Sequence, residues 1–129
     1  FKRHKKEAYR LIIDSAAQLA EKELRPFLVE MDRKEPQFEN GKVKVHPQVK
    51  KLMKEFGEGG WISADASSQF GGQQLPLTLT SCAQFILGAA NYSASVFPFL
   101  SAGVARLLGE FATDELKNQY IPKLYSGEW

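Results

Sequence analysis

Between Asp65 and Arg106 the chain carries no charged side chain: Ala66 through Ala105, 40 consecutive residues, contain no Asp, Glu, Lys or Arg. The whole chain has 129 residues with 17 Lys+Arg and 15 Asp+Glu. A domain of that size usually keeps charge on the wet side of each amphipathic helix. An uncharged stretch of this length is therefore expected to be enclosed, partly by its own chain and partly by something else. Lipid is not the expected enclosure. Gln69, Gln73, Gln74, Pro76, Gln84, Asn91 and Pro98 break the stretch, and no apolar run reaches the roughly 18–20 residues of a membrane span.

The charge lies at the two ends. Residues 1–54 hold 14 basic and 8 acidic side chains, a net of +6, and residues 55–129 hold 3 and 7, a net of −4. The basic half leaves open a non-catalytic helical module that binds a partner or nucleic acid through residues 1–54. Its Lys and Arg are interleaved with Glu and Asp at helical spacing, which favours a solvated helix face. No aromatic–basic interleaving of the kind that holds single strands is evident.

Cys82 is the one cysteine. It excludes an internal disulfide and is compatible with a reducing, cytoplasmic compartment. In its apolar setting it is expected to be a small buried side chain rather than a nucleophile. His4 and His46 are the only histidines, far apart and without a zinc-type spacing, so no metal site is expected. The start, FKRHKKEAYR, lacks the apolar core of a signal peptide. With no initiator Met and a close at SGEW, both ends look cut from a longer polypeptide.

The residue pattern predicts a mostly helical domain. Tyr9, Ile13, Ala16, Ala20, Leu24, Phe27 and Met31 recur at spacings of three and four, one stripe on a helix. Pro26 either kinks that helix or begins a second one. Asn40-Gly41 between alternating residues predicts a small hairpin near residues 37–45, because both central positions of a type I′ turn need φ > 0. His46-Pro47 opens a helix with Val49, Leu52, Met53 and Phe56 on one face, closed by Gly57, Gly59 and Gly60. Residues 61–75 read as loop, and the Gly-Gly of FGGQQLP as a structural turn rather than a phosphate cradle. Two central helices follow, at about 76–90 and 93–111, with Asn91 ending the first or capping the second. Val96, Phe97, Phe99, Leu100, Val104, Leu107 and Leu108 go nearly all the way round the second, so it is expected to be buried on every side. Thr113-Asp114 caps a last helix, which Pro122 is expected to bend or shorten.

FGGQQLP, a helix, a small-residue helix and then FATDELKNQYIPKLYSGEW, in that order and spacing, resemble the N-terminal α-helical domain of the acyl-CoA dehydrogenase family. ENGKVKVHP before GGW is similar to the subgroup related to the methylmercaptopropionyl-CoA dehydrogenases. The resemblance spans nearly the whole chain. It implies an all-α bundle of about five to six helices that is the N-terminal domain of a three-domain flavoenzyme. It also implies FAD, bound mainly by domains absent from this chain, an acyl-CoA substrate, an electron-transferring flavoprotein as acceptor and a homo-oligomer. In the family a glutamate takes the proton next to the thioester carbonyl and a hydride leaves the next carbon. That base and the main flavin and CoA contacts come from later domains, so no catalytic residue is assigned here. By resemblance, the helix through Ser95, Val96, Phe99, Leu100 and Gly103 runs past the acyl chain, with Phe99 shortening the cavity. The competing reading packs all five in a helical core. Acyl-CoA oxidases and nitroalkane oxidases resemble the same scaffold and differ outside this chain.

Overall fold

A computed structural model describes residues 6–129; His4 lies outside the described residues. The elements are α1 (Lys6–Leu19), α2 (Leu28–Arg33), a hairpin of β1 (Gln37–Glu39) and β2 (Lys42–Lys44), then α3 (Pro47–Glu58), α4 (Leu77–Ala90), α5 (Tyr92–Phe111) and α6 (Asp114–Tyr125). α5 packs against α2, α3, α4 and α6, and α1 lies along α4.

Pro26 does interrupt the first helix, and it does so by respacing the ladder. A five-residue π turn, Ala20–Leu24, and a 3-10 turn, Arg25–Phe27, join α1 to α2. Arg25 N–H donates five residues back, to Ala20 O, and Leu28 N–H turns to Arg25 O. The predicted stripe survives this slip, for Ala16, Ala20, Leu24 and Met31 are all in the core. They meet Val49, Leu52 and Phe56 of α3 and Ala83 and Leu87 of α4. The hairpin forms as its turn dictates. Asn40 and Gly41 have φ of 52° and 75°, and Gln37, Phe38 and Glu39 face Lys44, Val43 and Lys42.

α3 begins where His46-Pro47 predicts, with the His46 Nδ1 accepting from Gln48 N–H at 3.2 Å. Its end involves the far terminus. Gly127 adopts φ +76° after the Ser126 cap of α6, and a Cβ there would collide with Met53 O. A Cβ on Gly57 would collide with Ser126 O. The Ser-Gly turn after α6 thus lies backbone to backbone on α3, an approach open only to glycine. Trp129 completes this closure. Its carbonyl accepts from Ser101 Oγ at 3.0 Å, and its ring tilts against Tyr120 at 5.5 Å with Lys123 Nζ 5.0 Å from its centroid.

Thr113 caps α6 through its side chain. Pro122 stands inside α6, which nevertheless runs on to Tyr125.

Candidate functional site

α4 and α5 form the middle of the uncharged stretch, and each is buried on one side only. The buried side of α5 is small: Ala94, Ser95, Pro98, Ser101 and Ala105. Small side chains let α3, α4 and α6 come close to its backbone. Five of its bulky residues turn away. Tyr92, Leu100, Val104, Leu107 and Phe111 are exposed, Leu100 by 65% and Phe111 by 82%. α4 buries Thr80, Ala83 and Leu87 and exposes Leu77 and Phe85, the latter by 78%. The expectation that α5 is buried on every side is therefore corrected. Within this chain one flank is enclosed and the other is a bare apolar face with no charge between Ala66 and Ala105.

Cys82 requires a second correction. It is exposed, because it lies on the open side of α4. It lines a groove of about 760 Å³ between α1 and α4 with Tyr9, Ile13, Leu79, Phe85 and Ile86.

The five residues singled out on α5 separate by position. Val96 is half-buried and Leu100 exposed. Gly103 is exposed too, and a Cβ placed on it would meet nothing within 4 Å. These three share the bare face. Phe99 is half-buried and wedges inward. It borders a gap of about 10 Å³, with Ile12, Trp61, Ala83, Gln84 and Leu87 in the same lining, a space at the lower limit for one water. Ser95 stands behind the face, with 0% exposure. Its hydroxyl donates to Asn91 O at 2.8 Å and Leu87 O at 3.1 Å, across the α4–α5 junction.

Asn91 fixes that junction. It is fully buried and caps α5 by accepting from Ala94 N–H at 3.1 Å. Its Nδ2 donates to Leu24 O at 3.2 Å and to Met31 Sδ at 3.4 Å. Leu24 ends the π turn, so one side chain joins the start of α5 to the irregular segment that Pro26 forces. The sequence offered Asn91 as the end of α4 or the cap of α5, and it missed this second bond, which spans 67 residues. It also missed that the two charges bounding the uncharged stretch pair with each other, Arg106 Nη2 on Asp65 Oδ2. Tyr125 lies half-buried near this pair, and its phenol is pushed up, mainly by burial and further by Asp65, against an opposing effect of Arg106.

Part of the basic half's charge is held in ion pairs. Arg25 meets Glu21, Lys34 meets Glu30, Lys51 meets Glu23 and Glu55, and Lys54 meets Glu58. The Lys34 ammonium, with the His46 imidazole beside it, holds the Glu30 carboxyl below its usual range. α5 is long and apolar enough, by length and composition, to cross a membrane, which the sequence reading did not find. In the structure it packs along the bundle and carries Arg106 and Glu110 in its last turns.

Comparison with known proteins agrees with this architecture. Residues 6–128 match the family model described as acyl-CoA dehydrogenase, N-terminal domain. A 98-residue segment, 76% of this chain, is 30% identical to the 3-methylmercaptopropionyl-CoA dehydrogenase of Ruegeria pomeroyi and spans 17% of that protein. The fold is similar to that of the glutaryl-CoA dehydrogenase from Mycobacterium smegmatis, with a TM-score of 0.78 and 19% identity over 98% of this chain and 30% of that one. The chain spans less than a third of either relative. It belongs to the acyl-CoA dehydrogenase family, matching that family's N-terminal domain over residues 6–128.

Proposed function

We propose that this domain forms one wall of the acyl pocket in an FAD-dependent enzyme that dehydrogenates an acyl-CoA thioester to the enoyl-CoA. The observation that carries this reading is the bare, uncharged face of α4 and α5 in a chain that matches the family over residues 6–128. Val96, Leu100 and Gly103 offer an alkyl chain apolar contact and room. Phe99 is proposed to set the depth, since it stands behind that face and borders the small gap between α4 and Trp61. Ser95 and Asn91 act as positioning residues, holding the two helices at a fixed separation through hydrogen bonds of 2.8–3.2 Å.

FAD supplies the hydride acceptor when bound. The bare face does not fit its pyrophosphate, which calls for cations or aimed backbone N–H groups, whereas this face is uncharged. The phosphate contacts and the base are proposed to come from other domains, and no catalytic residue is assigned to this chain. Electron-transferring flavoprotein is the proposed acceptor, and the full-length protein is proposed to be a cytoplasmic homo-oligomer.

The test is anaerobic addition of acyl-CoA to the full-length protein. Bleaching of the flavin absorbance with formation of enoyl-CoA supports the reading. A protein without flavin, or a flavin that no acyl-CoA reduces, contradicts it. Turnover with oxygen and none with an artificial acceptor assigns the oxidase chemistry instead.

A further inference from the structure

The hairpin obeys a strict alternation whose apolar face no other described residue covers. Reading β1 and β2 outward from the Asn40-Gly41 turn, Glu39, Gln37, Lys42 and Lys44 fall on one face and Phe38 and Val43 on the other. On the polar face Lys44 pairs with Glu39. The apolar face is a directly opposed pair, Phe38 with Val43, exposed by 74% and 63%. Val45, next on the same face, is exposed as well. A two-stranded ribbon alone is marginal in water and gains its stability by packing one face on something else.

The size of the face selects the occupant. An aromatic side chain offers about 200 Å² at most, and a free-standing specific interface takes about 800 Å² from each partner. Two or three side chains fall well short of what a freely diffusing protein or an otherwise unattached second copy needs. A surface held nearby by covalent connection does not meet that threshold, because tethering replaces the association cost with a high effective concentration. The relatives supply the connected mass, since this chain is 17% of one and 30% of the other.

We propose that the Phe38–Val43 face of the hairpin docks on a later segment of the same polypeptide, against an apolar surface. The proposal rests on the assignment of this chain as one domain of a longer enzyme. It concerns a different surface from the acyl wall on α4 and α5.

The experiment uses full-length protein with cysteine introduced on each face in turn, Phe38→Cys and Lys42→Cys. Each is labelled with a maleimide, and the label is read on the hairpin peptide by mass spectrometry. The expected result is labelling at position 38 at least about tenfold slower than at position 42, unchanged across a hundredfold dilution. Equal labelling overturns the proposal. Protection that disappears on dilution also overturns it, because a second copy then covers the face. If Phe38→Cys does not fold, hydroxyl-radical oxidation of Phe38 in the unaltered protein gives the same contrast. The readout is solvent access, so it stays separable from the flavin-bleaching assay. Loss of one result leaves the other standing.

Discussion

Asn91 shows how one side chain can serve two distant backbones. Asn91→Ala removes the cap of α5, about 1 kcal/mol, and leaves the buried Leu24 carbonyl without its donor, about 1–3 kcal/mol. Urea unfolding of the domain is expected to show a loss of about 2–4 kcal/mol. Glycines divide by what surrounds them. A methyl at Gly127 meets Met53 O on a backbone already at φ +76°, so Gly127→Ala is expected to cost about 3 kcal/mol. A methyl at Gly103 meets nothing, and Gly inside a helix is worse than Ala by about 0.5–1 kcal/mol. Gly103→Ala is therefore expected to stabilise the domain by about that amount. Glu30 gives the pH dependence. Lys34 and His46 favour the carboxylate and hold its folded pKa below the ordinary value of 4.5. Its contribution is therefore present above that value and lost as pH falls through the folded pKa. Glu30→Gln is expected to be less stable than the parent at pH 7, with the gap shrinking below about pH 4.5, read by denaturant midpoints at several pH values.

At the scale of elements, α5 takes its place from its small side, and the pair Arg106–Asp65 closes the uncharged stretch on itself. Arg106 is largely exposed, so a double-mutant cycle on the two is expected to give a coupling of about 0.2–1 kcal/mol that weakens with salt. Elements with local causes were legible in the sequence. Asn40-Gly41 needs positive φ and obtains it, and His46-Pro47 and Thr113 carry their own helix starts. What depended on tertiary partners was not legible. Both sides of α5 are uncharged as far as Ala105, so periodicity alone could not say that Ser95 turns inward and Leu100 outward. Cys82 was read as buried because its neighbours are apolar, yet the face they share is left open. Pro26 marked a break, but where the ladder slipped, at Ala20–Leu24, followed from the stripe staying on the core.

Taken whole, the molecule is a helical domain in which Phe85 of α4 and Tyr92, Leu100, Leu107 and Phe111 of α5 face outward on two adjacent helices. A contiguous apolar face of this kind on a separate protein attracts itself or a partner. In the longer enzyme the same face is proposed to meet the acyl chain and the neighbouring domains, with Phe99 limiting depth. Phe99→Ala in the full-length protein is expected to raise kcat/KM for longer acyl chains relative to shorter ones. An unchanged chain-length profile removes Phe99 from the pocket. The central claim is that the open flank of α4 and α5 requires a cover. Sedimentation equilibrium of this 129-residue chain over about a hundredfold range of concentration tests it most directly. The account predicts a mass that rises with concentration for the parent and stays at one chain for the double variant Leu100→Lys with Leu107→Lys. A parent that remains a single chain throughout, and binds no apolar dye, would contradict it.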